Sequence, residues 1–448
     1  MSTDKTTQGS DFDGLEWVRD RFWNSEPRWT VEPDEEAIKQ TVTSSLGLSS
    51  TTAPCGIEFL AQGAFNKVYV ITFAEKEVIA RVTLPADPKW KTLSEVATLQ
   101  WVRDNTSLPV PEVLSYQADR ASPVGFEWIA MSKMPGGSLH DRWRDIPLSA
   151  KEDIARRLAV FCSDTFRAQL RGIGNLFFDR DTKEAYAAGS AVLRDRGAFR
   201  VDRIISSEFI WDYRIHAEVS RGPFNSTKDW LLARLSLAEA ECRGHLSRLQ
   251  STTPADEEEK MENEAGLEDI ENTMDIVSRL RRHLDDFFPP RGAEPERTMV
   301  LHDDLSSQNI LVDGHGNLTA VVDWECISAV PLWFACQIPP VLQGTPRHEE
   351  PVKAEYQHDK EGNVIEIFWE HLEEYELTQL RRVFLGEMGE LQPEWVRIFE
   401  SSQRQRDFDI AVTCCSDAFL IHTIRNWLDD VEKGVEGFQG LEERINDA

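Results

Sequence analysis

The sequence predicts an α+β protein of two lobes, a small antiparallel-sheet lobe followed by a larger, mostly helical one. Three observations carry this. Between residues 56 and 131, short β-branched and aromatic runs alternate with turn signals and a single helical stretch. Beyond residue 137 apolar residues recur at helical spacing over long segments. The 448-residue length exceeds what one ordinary core fills.

Residues 1–50 read as a polar N-terminal extension, in which Leu15-Glu16-Trp17-Val18-Arg19-Asp20-Arg21-Phe22-Trp23 suggests a short amphipathic helix packed on the main body. Residues 51–134 make the small lobe. Its strands are expected at 57–60, 68–73 and 78–82, the last two joined by a turn at Glu75-Lys76-Glu77. A helix over 94–104 follows, with Ser94 as N-cap and Val96, Leu99 and Val102 at apolar spacing. Two more strands come at 113–116 and 126–131, and Pro135-Gly136-Gly137-Ser138 then breaks the pattern and marks the lobe boundary. Residues 135–448 form the helical lobe, with helices expected over 150–171, 226–247, 272–287, 364–387 and 407–433. The Glu-rich stretch 252–268, poor in apolar side chains, is expected to be a disordered insertion. No internal repeat is visible.

The chain carries 78 acidic against 49 basic residues, a formal net charge of −29, which argues against nucleic acid and anionic membrane surfaces as partners. Its 14 Trp and 22 Phe suffice for real cores. The seven cysteines are scattered, without C-x-x-C or histidines at zinc spacing, and read as free thiols in a reducing compartment. The first residues, Met1 to Thr7, have neither secretory nor mitochondrial signal character, and no run approaches the ~18 apolar residues of a membrane span. The cytoplasm is the simplest location.

Chemistry concentrates in Leu301-His302-Asp303-Asp304-Leu305-Ser306-Ser307-Gln308-Asn309, which has the spacing H-x-D-L-x-x-x-N of a kinase catalytic loop. Asn309 leads into Ile310-Leu311-Val312, a turn at Asp313-Gly314-His315-Gly316-Asn317, and Leu318-Thr319-Ala320-Val321-Val322 ending at Asp323. Such a hairpin brings Asn309 and Asp323 side by side. An amide oxygen beside a carboxylate is what Mg²⁺ needs, with water and nucleotide phosphates completing its shell. Asp304 can accept the proton of an attacking hydroxyl. Asp303 competes for that role, but only Asp304 has Leu next and Asn at the required distance. His302 is expected to bond the loop backbone rather than move a proton. No P-loop or dinucleotide-binding glycine motif is present.

Together with Gly63-Ala64-Phe65-Asn66-Lys67-Val68-Tyr69, Ile79-Ala80-Arg81-Val82, Glu95, and Asp323-Trp324-Glu325 followed by Val330-Pro331-Leu332-Trp333, this loop makes the chain resemble the aminoglycoside-phosphotransferase (choline-kinase-like) family, especially its fungal branch. The resemblance spans residues 55–340 and implies a protein-kinase-like fold. It implies that the turn with Gly63, Phe65 and Asn66 covers the phosphates of ATP or GTP, that Arg81 binds them with Glu95 as its ion-pair partner, and that the base sits near Met131 and Met134. Arg81 stands where protein kinases carry Lys, and the turn has one glycine where they have three. Asp-Trp-Glu replaces Asp-Phe-Gly and no activation-loop signature follows, so the acceptor implied is the hydroxyl of a small molecule rather than a protein. Glu366, Glu370, Glu373, Glu374 and Glu376 suit an aminated acceptor or form a solvated helix face; the second reading is preferred. Trp324 and Trp333 shape the pocket or the core. The competing reading is a kinase-fold binding module without catalysis.

Overall fold

The computed structural model describes residues 12–19, 25–47, 55–74, 76–179, 198–251, 256–290, 292–435 and 437–447. The described chain opens on a hairpin, β1 (Leu15–Arg19) and β2 (Ser25–Trp29), not on the helix expected from residue 15. Burial alternates along β1, with Leu15 buried, Glu16 exposed, Trp17 half-buried and Val18 exposed, so the two-residue period wins. Residues 20–23 of that expectation lie outside the described residues, as does Glu75. Helix α1 (Glu35–Ser45) follows, capped by Asp34, whose carboxylate accepts from the Ala37 N–H.

The small lobe is an antiparallel sheet of β3 (Cys55–Gln62), β4 (Asn66–Phe73), β5 (Lys76–Thr83), β6 (Val113–Gln117) and β7 (Glu127–Ser132), in the order β3-β4-β5-β7-β6. Helix α2 (Trp90–Asn105) stands between β5 and β6 in sequence. It begins before Ser94, which is buried inside the helix and is not its N-cap. Because α2 packs on β6 and β7 and also meets the large lobe through Trp90 against Phe177 (5.8 Å, edge-on), it is buried on nearly every face.

The large lobe opens with β8 (Gly137–Ser138), α3 (Leu139–Arg142), α4 (Leu148–Arg167), β9 (Leu170–Arg171), β10 (Gly174–Phe178), β11 (Phe199–Asp202) and α5 (Ser207–Ile210). The long pair α6 (Thr227–Ser251) and α7 (Glu257–Phe287) leads to β12 (Arg297–Leu301), β13 (Ile310–Val312), β14 (Leu318–Val321), β15 (Ser328–Pro331) and α8 (Leu332–Ala335). Helices α9 (Glu366–Leu391), α10 (Pro393–Ser401), α11 (Gln403–Thr413), α12 (Ile421–Glu432) and α13 (Leu441–Asn446) complete it. Two further sheets, β11-β10-β15-β12-β9 and β14-β13-β8, frame the segment 302–309. Gly136 has φ +104, and a Cβ there would lie 2.4 Å from the Val312 carbonyl oxygen, so only glycine lets the interlobe segment cross β13 this closely.

Three expectations for the large lobe are corrected. The helix at 150–171 stops at Arg167 and its last two residues pair as β9. The helix at 407–433 is two helices, because Asp417 accepts from the Phe419 N–H and donates its own N–H to Cys414 O, a local turn that competes with helix continuation. From Glu257 to residue 268 the chain is helical rather than disordered: Asp256 caps α7 through the Glu259 N–H (2.9 Å), glutamates lie at the favourable end of the helix dipole, and α6 packs alongside. Residues 252–255 lie outside the described residues. Trp128, Trp324, Trp395 and Trp427 anchor the core, all fully buried.

Candidate active site

The loop between β12 and β13 is shaped by its own polar groups. Ser306 N donates to Asp304 O (2.9 Å) and Asn309 N to Ser306 O (3.2 Å). The Asn309 amide donates both to Asp304 O (2.8 Å) and to the Asp304 carboxylate (Oδ2, 2.9 Å), fixing the side chain that the loop motif offers as base. Leu305, buried, pins the loop from below, and its carbonyl accepts from Val341 N. His302 is 2% exposed; its Nε2 donates to Val322 O (3.3 Å), since a carbonyl only accepts, and its ring meets Trp324 edge-on at 4.7 Å. Burial lowers its pKa to about 4, so it is neutral and holds the loop.

Val322 N donates to Asn309 O (2.9 Å), closing the β13–β14 hairpin so that Asn309 and Asp323 lie at the same end. Asp323 has φ +61 and Cys326 φ +60, left-handed conformations that cost a non-glycine residue about 1–2 kcal/mol each. Trp324 helps hold them, buried with Nε1 donating to Val321 O (3.0 Å). Desolvation, then the Glu325 carboxylate, raises Asp323 to about 6, against the opposing charges of Arg81 and Lys91. Asp303 is also raised to about 6, by desolvation first and the Asp304 charge second.

Arg81 on β5 is buried, ion-paired with the buried Glu95 of α2, and its Nη1 lies 3.6 Å from Asp323 Oδ1. Gly63 is exposed at the β3–β4 turn; its N–H donates to Asn66 O (2.9 Å), and no heavy atom lies within 4 Å of where its Cβ would stand. That open face belongs to the turn's backbone alone. Phe65 is 3% exposed and turned into an aromatic cluster with Trp17 of β1 (6.1 Å) and Trp211 (5.4 Å). The Asn66 side chain is also buried and reaches Glu325 (2.7 Å). Met131 is buried in β7, and Met134, half-buried beyond it, accepts from Ser132 Oγ at the lobe junction.

Lys91 was not singled out by motif, nor was a partner for Glu325. The available signal was an acid at 325 where protein kinases carry glycine, because a buried extra carboxylate demands a buried cation. Trp324 and Trp333 are core: Trp333 is buried with Nε1 bonded to Thr227 Oγ1 (2.9 Å). On α9, Glu366, Glu374 and Glu376 are committed to Arg144, Arg347 and Lys151. A cavity of about 250 Å³ adjoins the catalytic loop, lined among others by Phe161, Thr165, His302, Asp303 and Gln337. Among the described residues no three His, Cys, Asp or Glu side chains converge as a closed metal site. The donors at that end of the hairpin, the Asn309 amide oxygen and the Asp323 carboxylate, are of the chemical kind that a hard cation takes. Among the described residues no helix is long and apolar enough to cross a membrane.

The model of the phosphotransferase enzyme family, APH, matches residues 56–334. The subtelomeric hrmA-associated cluster protein of Aspergillus fumigatus is 28% identical over 311 residues, 62% of this chain and 59% of that protein. The protein named altered inheritance of mitochondria protein 9, mitochondrial, of Lachancea thermotolerans is 23% identical over 384 residues, 75% of this chain and 57% of that one. The chain thus spans less than two-thirds of the length of these relatives. Among solved structures, aminoglycoside phosphotransferase APH(4)-Ia matches with TM-score 0.41 and 13% identity over 90% of this chain and 100% of that one. Matched by its model over well more than half its length, the chain belongs to the phosphotransferase enzyme family.

Proposed function

We propose that the chain transfers the γ-phosphate of ATP or GTP to a hydroxyl of a small molecule. The observation that carries this reading is the convergence of Asp304, Asn309, Asp323 and Arg81: Asn309 bonds the Asp304 carboxylate at 2.9 Å, and Arg81 lies 3.6 Å from Asp323. Asp304 accepts the proton as the acceptor oxygen forms its bond to the γ-phosphorus and the bond to the bridging oxygen breaks, that oxygen keeping the electron pair and leaving on the nucleoside diphosphate. General-base help of this kind is worth about 10²–10⁴ in rate. Asn309 and Asp323 would hold Mg²⁺, which neutralises phosphate charge when bound. Arg81, oriented by Glu95, binds phosphate oxygens bidentately, and the backbone of the Gly63 turn covers them. The base of the nucleotide would lie by Met131 and Met134. An amine on the acceptor would find three of the α9 acids, Glu366, Glu374 and Glu376, already paired.

The test is thermal stabilisation by nucleotide with and without Mg²⁺, followed by nucleotide consumption in a screen of hydroxylated and aminated small molecules. At a ligand concentration near 100 times Kd, binding stabilises the folded state by about 2.7 kcal/mol. Asp323→Ala is expected to lose the Mg²⁺-dependent part of the shift. Asp304→Ala is expected to keep the shift and lose turnover by about 10²–10⁴-fold. A wild-type protein that no nucleotide stabilises would sink the reading in favour of a non-catalytic binding module.

A further inference from the structure

One ion pair, buried on its lysine side and half-buried on its carboxylate side, joins the lobes beside the reacting groups without touching any of them in the scheme above. Lys91, in the first turn of α2, has a side chain only 1% exposed and pairs with Glu325 Oε2 of the large lobe. The same oxygen accepts from Asn66 Nδ2 at 2.7 Å. Asn66 Oδ1 in turn accepts from Thr83 Oγ1 (2.8 Å) and lies 3.5 Å from the Lys91 ammonium, which also stands 5.5 Å from the Phe65 ring centre. One cluster therefore ties together the phosphate turn, the end of the strand that carries Arg81, the start of α2, and the loop that carries Asp323.

Stability alone does not explain it, because desolvating two charges commonly offsets their attraction and apolar replacements do as well or better. Position does. Asp323 is held left-handed, and such backbone persists only where its surroundings over-determine it. Trp324 anchors one side of that residue, and Glu325, fastened to Lys91 and Asn66, anchors the next step of the chain.

We propose that Lys91, Glu325 and Asn66 form an interlobe latch that sets Asp323 against the phosphate turn, so that divalent cation and nucleotide are bound together. The latch rests on the phosphotransferase reading; Lys91 and Glu325 are positioning residues that touch neither phosphate nor metal. Groups that orient a metal-binding side chain typically change metal affinity by roughly 10–100-fold when removed.

The experiment measures the Mg²⁺ concentration giving half of the nucleotide-dependent rise in melting temperature, for wild type, Glu325→Gln and the double variant Lys91→Met/Glu325→Gln. Lys91→Met alone leaves Glu325 as an unpaired buried charge, whereas the double variant removes both charges and is expected to melt near the wild type without ligand. Both variants are nevertheless expected to need roughly 10–100-fold more Mg²⁺ than wild type. A double variant, or Glu325→Gln where the double does not fold, with the wild-type Mg²⁺ requirement overturns the latch and leaves the nucleotide site standing. A wild type that shows no Mg²⁺-dependent nucleotide shift overturns the phosphotransferase reading itself, and the latch with it.

Discussion

Whether a carboxylate is charged in this cleft depends on what replaces water around it. Asp87, at the start of the α2 segment, is 4% exposed and bonded to Arg203 of the large lobe at 2.9 Å. Desolvation still outweighs Arg203 and raises Asp87 to about 6 from 3.8. The folded state therefore holds this proton more tightly than the unfolded chain, so the stabilisation is complete below the unfolded value and is lost as pH rises through about 6. A shift of this size corresponds to about 3 kcal/mol. Urea unfolding across roughly pH 4 to 7 is expected to show wild type losing about that much relative to Asp87→Asn; parallel curves for the two proteins would mean that folding leaves the proton affinity of Asp87 unchanged.

At the scale of elements, what sequence made legible was whatever is decided locally. The five strands of the small-lobe sheet follow from β-branched runs and turn residues, and the hairpin that joins Asn309 to Asp323 follows from two apolar runs around Asp313-Gly314. The N-terminal hairpin is not legible locally because five residues such as Leu15 to Arg19 fit both periods, and the choice is made by Trp17 meeting Phe65 and Trp211, which are distant in sequence. At the start of helix α7 composition and capping point opposite ways, and capping prevails. Asp256 closes that end by accepting from the Glu259 N–H, so Asp256→Ala is expected to cost about 1 kcal/mol. Hydrogen exchange checks it: in wild type the amides from Glu259 onward are protected, and in the variant protection is lost first over 259–268, whereas equal exchange in both would show that the cap does not hold the helix end.

Over the whole molecule the legible and illegible parts of the site divide by sequence distance. The catalytic loop was readable because Asp304 and Asn309 sit on one loop and shape each other. The cluster of Asn66, Lys91 and Glu325 was not, because no local pattern says which buried cation answers which acid across more than two hundred residues. The same distance makes the lobes interdependent. Arg203 with Asp87, Lys91 with Glu325, Arg19 with Asp212, and Trp90 against Phe177 all cross between the small lobe or N-terminal hairpin and the large lobe. Two of the groups, Asp87 and Lys91, are charges at most 4% exposed, and separating the lobes would strand them without partners, which costs several kcal/mol per ion. Unfolding of one lobe therefore exposes or orphans groups of the other, and calorimetry is expected to give one transition whose van't Hoff and calorimetric enthalpies agree. Two resolved transitions would show that the lobes melt apart, and that these ties, including the one beside Asp323, are too weak to couple them.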